Sequence, residues 1–446
     1  MKRSLAVVLT IACLVTSVAT AKSEYIPQKV TYTPTYNPYV EPRLGDGSTP
    51  SGGVPPAFSG EPANIQSNFD VRQWMVRRYY PTSSRGGEAK FRTHCNYSHH
   101  RADDPIVGPG KPGASHLHTF YGNTLANAGS TYETLRTQGG STCGGGPINR
   151  SAYWHPAVLK DNARGDGKTM IVKPDHAVVY YNALVRDIAK ITRFPRGFSY
   201  VFGFNPADPK NKNIAAEVAA ANKKGSGTIY ASYRAAGNGF VGWRCETANG
   251  SVAASPIPGS ALQPYLMTAD GKATLNCPIN ERIGAAIASP QCWDGVNLSS
   301  PDGRNHVRYM IKENNTALGV CPIGWYRILT FEFVVWFSHK GKDDYKNWYL
   351  SSDRMPGQRQ FLNGQSFHAD WFGAWDYRIM SIWMRNCNGL TFYGKPSRPH
   401  SCIDTQFGDG KAGIVQSAAP DRSRFPQIDL VTRWAKAGKD RFDPLP

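Results

Sequence analysis

Charge is scarce in this chain: Asp, Glu, Lys and Arg together make up 19% of its 446 residues. That is too little for a charge-laced coiled coil or an acidic disordered chain. Acidic residues are scarcer than basic ones, 33 against 51, so the formal net charge is +18. Long apolar runs are missing beyond the N-terminus, where none approaches the roughly 18–20 uninterrupted residues of a spanning helix. No transmembrane anchor is therefore expected. No C-x-x-C occurs, which argues against a zinc ribbon or a thioredoxin-type site. The G-x-S-x-G elbow, the phosphate-binding loop and H-E-x-x-H are absent too, along with the chemistries they serve. No tandem repeat is visible, which disfavours a propeller or solenoid.

What is present begins with an export label. Met1-Lys2-Arg3 is basic, Leu5 to Val18 is mostly apolar, and Ala19-Thr20-Ala21 fits small-residue cleavage, so 1–21 reads as a signal peptide. Its removal leaves a strongly basic chain starting at Lys22, not at a histidine that could brace copper. The expected location is extracellular or periplasmic. Residues 22–65 carry Pro27, Pro34, Pro38, Pro42, Pro50, Pro55, Pro56 and Pro62 among Tyr, Gly and Ser, and read as an extended linker. Residues 66–435 show no further shift in composition and read as one domain, followed by a tail over 436–446. Of nine cysteines, Cys13 lies in the leader. The other eight suggest disulfides in an oxidising compartment. Pairing of sequence neighbours is the simplest arrangement: Cys95–Cys143, Cys245–Cys277, Cys292–Cys321 and Cys387–Cys402.

With 44 Gly and 32 Pro, long helices are not expected. Short runs rich in Val, Ile, Tyr, Phe and Trp predict strands near 168–172, 177–181, 198–202, 228–233, 306–311 and 327–338. Helix signals are limited to 213–224 and 377–385. The pattern predicts a mainly β fold: a single antiparallel β-sandwich or jelly-roll-like domain with long disulfide-pinned loops and few short helices.

Eleven histidines are few, so their clustering is informative. In Ser115-His-Leu-His-Thr-Phe-Tyr-Gly-Asn-Thr124, His116 and His118 share a face if the segment is a strand. Such a pair suits a metal, or a pocket for polar substrate groups; hydrogen bonding to neighbouring loops is the plainer use. His368 and Asp370 share a face by the same parity, and an Asp beside a His either orients it or ligates the same ion. Trp371 and Trp375 offer flat faces for sugar rings, or core packing. Asp302 and His306 lie in a loop-like stretch that starts at Cys292, where Asp294-Gly295 and Asp302-Gly303 are also good turn pairs.

Together these motifs, with Asn149-Arg-Ser-Ala-Tyr-Trp154, Cys292-Trp-Asp-Gly-Val-Asn297 and Ser300-Pro-Asp302, resemble the secreted DUF1996 family of fungi and bacteria. The resemblance spans about residues 91–387 and implies export and a shared domain, not a reaction. The family usually carries His and then Ser after Ser-Pro-Asp, where this chain has Gly303 and Asn305. Its usual Asn-Gly before the late Trp-Asp is Gly373-Ala374 here. A site that needs a histidine at position 303 is thereby disfavoured.

The leading expectation is a secreted carbohydrate-active protein that cleaves a polysaccharide, as a hydrolase or a lyase. Its groove would be built from His116, His118, Asp302, His306, His368 and Asp370. Asp302 and Asp370 would be the carboxyl pair of a hydrolase. His116 or His368 with Tyr180 and Arg150 would serve a lyase. Trp154, Trp371 and Trp375 would be sugar platforms. The expected partner is a polysaccharide or cell-envelope glycan, with the basic balance favouring an acidic one. Lys and Arg are dispersed, so nucleic acid is not expected. Two other classes stand beside this: a non-catalytic wall-binding protein, and a metalloprotein in which His116, His118, His368 and Asp370 ligate zinc or copper. Neither a cofactor nor the presence of a metal is assigned by the sequence.

Overall fold

The computed structural model describes residues 58, 60–66, 90–144, 146–161, 169–182, 191–206, 241–246, 263–279, 281–310, 321–377, 401–402 and 430–432. The leader, most of the linker, the predicted helix at 213–224, the predicted strand at 228–233, Cys387 and the C-terminal tail lie outside the described residues.

Within them the fold is mainly β, as the short β-branched and aromatic runs predict. A six-stranded sheet has the order β17-β1-β7-β14-β10-β9. Its strands are β1 (Lys90–Cys95), β7 (His176–Asn182), β9 (Val241–Glu246), β10 (Arg282–Ala288), β14 (Thr330–Ser338) and β17 (Ser401–Cys402). A five-stranded sheet has the order β2-β3-β4-β16-β8. It is built from β2 (Tyr97–Arg101), β3 (His118–Gly122), β4 (Ala152–Pro156), β8 (Ser199–Gly203) and β16 (His368–Phe372). All its pairings are antiparallel. Two smaller sheets flank these. One joins β5 (Val158–Asp161), β6 (Thr169–Ile171), β15 (Trp348–Leu350) and β18 (Leu430–Thr432); the other joins β11 (Cys292–Trp293), β12 (Val307–Arg308) and β13 (Tyr326–Arg327). The longest described helix covers only Tyr132–Thr137.

Strand alternation decides which side chains fill the space between the two large sheets. The five-stranded sheet turns Tyr121, Tyr153, Tyr200 and Trp371 inward, and the six-stranded sheet turns Val179, Tyr181, Phe333, Val335 and Ile283 inward; together they form the main core. Tyr121 meets the edge of Phe333 at 5.6 Å, and the buried hydroxyls of Tyr153 and Tyr181 satisfy each other at 2.7 Å. The opposite face of the five-stranded sheet carries a separate, smaller cluster: Phe120, Ala152, Trp154 and Val201 with Ile106, Ala126, Leu135 and Ala374. Its lid includes the segment between β2 and β3. There Asp103 accepts hydrogen bonds from the Gly113 and Ala128 amides, and Asp104 from those of Ile106 and Val107.

Three disulfides join Cys95–Cys143, Cys245–Cys277 and Cys292–Cys321. They match three of the four neighbour pairings expected and fit an oxidising compartment. Among the described residues, no helix is long and apolar enough to cross a membrane. Upstream, Glu61 accepts both terminal nitrogens of Arg193 and the amide of Arg196. Phe58 packs edge-on against Trp293 at 5.1 Å, and Arg136 Nε donates to the Ile65 carbonyl. The end of the proline-rich segment is therefore laid against the β domain.

Candidate metal centre

The outer face of the five-stranded sheet gathers the histidines. His118 opens β3, while His116 sits two residues earlier in irregular chain, not on a strand. Their rings are nevertheless adjacent, with centroids 4.2 Å apart. His368 opens β16, and its ring lies 5.1 Å from that of His116 and 6.2 Å from that of His118. Each of the three offers one nitrogen, and these nitrogens all lie within 4.8 Å of one another. A tetrahedral ion at zinc–nitrogen bond length needs about 3.4 Å between ligand atoms, so small ring rotations draw the set together.

Hydrogen bonding settles which nitrogens face inward. A carbonyl oxygen can only accept, so Nδ1–H of His118 donates to the Asp103 carbonyl at 2.9 Å, and Nδ1–H of His368 donates to the Ser366 carbonyl at 2.8 Å. Each bond fixes a tautomer that leaves Nε2 with a free lone pair, as metal-bound imidazoles are held. Nε2 of His116 and of His118 is buried without a hydrogen-bond partner. Burial pushes the pKa of all three imidazoles down. The neighbouring rings push His116 further, and Arg304 and His118 do the same to His368. The set is therefore neutral at physiological pH, the state a metal requires.

Asp370 stands two residues after His368 on the same face, as period-two alternation predicts. Both its carboxylate oxygens are buried and neither has a hydrogen-bond partner. Burial raises its pKa well above the carboxylate range, and the charge of Asp104 raises it further, while Arg304 opposes them. A buried carboxylate with no partner is costly. A cation between the histidines and Asp370 would relieve that cost, and the donor set of neutral imidazoles suits zinc or copper. Arg304 lies in the field of Asp370, Asp302 and Asp104.

Arg304, not His306, carries the third sequence cluster to this site. Gly303 makes that possible: its φ is +67°, and a Cβ there would come within 2.7 Å of Ile106 and of Val201. A histidine at 303, usual in the family this chain resembles, has no room. Arg304 then reaches over the end of β8, donating to the Phe204 carbonyl at 2.9 Å and the Gly203 carbonyl at 3.3 Å. His306 points elsewhere. Its nitrogens bond Ser300 Oγ and the Ser199 carbonyl, both at 2.9 Å, and its ring meets Phe198 edge-on. Asp302 accepts the Ser300 hydroxyl and the amides of Arg304 and Asn305 through one oxygen, which is turn chemistry.

A model of the family described as "Domain of unknown function (DUF1996)" matches residues 104–375, more than half of the chain. The chain belongs to that family. No curated protein and no solved structure matches it. The DUF1996 segment runs from Asp104 to Trp375 and so includes the three histidines, Arg304 and Asp370.

Other expected site residues of the DUF1996 domain fall away from this face. Trp371 and Trp375 lie in the inner core, where Trp371 packs on Tyr200 and Phe194 and the Trp375 indole donates to Tyr181. Trp154 shares the outer face with Asp370, but it is fully buried and stacked on Phe120 at 5.3 Å. None of the three is a surface sugar platform. Tyr180 faces outward from the six-stranded sheet, beside Val178 and Val334, with the whole sandwich between it and His368. Arg150 precedes β4, opposite Ala374, and donates to the Arg136 carbonyl, about 20 Å along the strand direction from His368. Sequence reasoning missed Arg304 and Asp104. Both sit in turns whose local patterns give no sign that they face a histidine cluster.

Proposed function

We propose that the DUF1996 domain of this chain is a metal-binding catalytic domain. His116, His118 and His368 hold zinc or copper, and Asp370 follows His368 on the same sheet face. The observation that carries this reading is the convergence of three neutral imidazole nitrogens within 4.8 Å, on the sheet face that also holds a buried carboxylate without a hydrogen-bond partner. Three histidines with one free position is the composition of a catalytic rather than a structural site. The bound ion would supply Lewis acidity that polarises a substrate oxygen or lowers the pKa of water. Asp370 would accept or return a proton at the reacting oxygen, its basicity raised by burial and by the charge of Asp104 and held back by Arg304. The carbonyls of Asp103 and Ser366 hold His118 and His368 in the productive tautomer.

An acidic polysaccharide remains the substrate class that best suits this reading, supported by the export signal in the sequence and by the net charge of 49 − 33 = +16 left once Lys2 and Arg3 depart with it. Cleavage would then be metal-assisted, not performed by an Asp302–Asp370 pair.

The test is metal content followed by turnover. Purified protein stripped with chelator and dialysed against zinc or copper should take up one ion per chain, and His118→Ala or His368→Ala should take up none. Loaded protein would then be assayed on neutral and acidic glycans for new reducing ends and for unsaturated uronates. Failure of the unaltered chain to retain either metal would refute the centre. Metal retention without product on any glycan that the protein binds would reduce the domain to a binding module.

A further inference from the structure

The loop that delivers His368 contains a second acid, enclosed and joined to His368 through a single residue. Asp353 lies between β15 and β16 with its side chain fully buried. Four donors converge on it. Oδ2 accepts the amides of Leu350 at 2.7 Å and Gly364 at 2.6 Å. Oδ1 accepts the amide of Ser366 at 2.9 Å and its hydroxyl at 2.7 Å. Ser366 is thus gripped at its N–H and its side chain, and its remaining polar group, the carbonyl, is the one that receives Nδ1–H of His368. The other strand-borne histidine is treated alike. The carbonyl bonded to His118 belongs to Asp103, whose own carboxylate is pinned by the Gly113 and Ala128 amides.

We infer that Asp353 is a positioning residue for the metal centre: its carboxylate fixes Ser366, and Ser366 fixes the tautomer and ring angle of His368. This rests on the metal-binding reading above. The physical reason is that an imidazole ligand rotates about its side-chain bonds unless its second nitrogen is held, and each free rotation takes Nε2 out of ligand geometry. Two hydrogen bonds tie Ser366 to the carboxylate, and the amides of Leu350 and Gly364 hold that carboxylate in place. A purely structural Asp353 would support the loop alone, and its loss would lower the melting temperature without changing metal affinity in the folded molecules.

The experiment uses the full chain loaded with cobalt(II), whose paramagnetism moves the exchangeable Nδ1–H resonances of ligand histidines out of the crowded part of the proton spectrum. Unaltered protein, Asp353→Asn and Ser366→Ala are compared below their melting temperatures, with cobalt affinity read by equilibrium dialysis. Asp353→Asn should weaken cobalt binding about 10–100-fold, the range for loss of an outer-shell partner. Ser366→Ala keeps the carbonyl and loses one of the two grips, so it should weaken binding less than 10-fold. In both variants one shifted N–H resonance should broaden through faster exchange with water. If Asp353→Asn does not fold, Ser366→Ala decides. A folded variant with unaltered affinity and an unaltered set of N–H resonances would overturn the positioning role while leaving the metal centre intact. An unaltered chain that binds no cobalt would remove both.

Discussion

Asp370→Asn offers a sharp test, because it should act in opposite directions on stability and on metal affinity. In the metal-free protein Asp370 is buried with both oxygens unbonded, and burial followed by the charge of Asp104 raises its pKa well above the usual range. A carboxyl whose folded pKa is raised costs stability once pH climbs past its unfolded value, near 4, and the cost is fully present above the folded value. Asparagine has nearly the same shape and never ionises. Leaving a buried polar group unpaired costs the amide and the neutral carboxyl about equally, and ionising the carboxyl adds roughly 1–3 kcal/mol more. Metal-free Asp370→Asn should therefore be more stable than the unaltered chain at neutral pH by about 1–3 kcal/mol. In thermal unfolding that is a rise of about 2–6 °C, fading to nothing below about pH 4. Zinc should narrow the gap. At 100 times its dissociation constant it stabilises the unaltered chain by about 2.7 kcal/mol, but only about 1.4 kcal/mol if the variant binds ten-fold more weakly. Scanning calorimetry at pH 3.5 and pH 7.5, with and without zinc, reads all four conditions. A variant that is less stable than the unaltered chain when both are metal-free at pH 7.5, or an equal gain from zinc in both, would refute the reasoning.

Acid should destabilise the fold through His306. Burial holds its pKa down at about 4 against 6.5 when unfolded, so its share of stability, about 3 kcal/mol, is lost as pH falls from about 6.5 to 4. Denaturant titrations should show His306→Gln weaker at pH 7 but flatter across that window by a similar amount. Trp371→Ala should cost about 3–5 kcal/mol as a core deletion; an unchanged denaturation midpoint with lost glycan binding would restore the platform role. Gly303→Ala, which forces a side chain at φ +67° against Ile106 and Val201, should cost about 1–3 kcal/mol of strain and also lower metal affinity, since Arg304 moves with it. Equilibrium unfolding and zinc dialysis on that variant check both effects.

The β class was legible because short runs such as the one around Phe333 combine β-branched and aromatic residues at a length that suits strands. The histidine site was legible in part for the same reason. Period-two alternation places His368 and Asp370 on one face wherever the strand lies. Parity does not say which face of which sheet turns to the core, and there Trp371 and Tyr180 went astray: one faces the inner core, the other lies beyond it. Arg304, Asp104 and Asp353 were hidden because their roles depend on chain crossings. Arg304 bonds carbonyls about 100 positions earlier in the sequence. His306 was misleading for a plainer reason: a buried histidine with both nitrogens bonded to Ser300 and Ser199 has the composition of a site and the geometry of a brace.

The contact made by the end of the proline-rich segment bears on how the domain can be produced. A recombinant domain trimmed by composition to begin at residue 66 discards Phe58 and Glu61. Arg193 and Arg196 then lose the carboxylate that neutralises them, the Trp293 ring loses its edge contact, and Arg136 loses the Ile65 carbonyl. Arg136 also bonds the Ala374 carbonyl and pairs with buried Asp376, just past the strand that carries His368 and Asp370. An N-terminal trim chosen for solubility would thus reach the edge of the sheet that carries His368 and Asp370, and a start upstream of Phe58 avoids it.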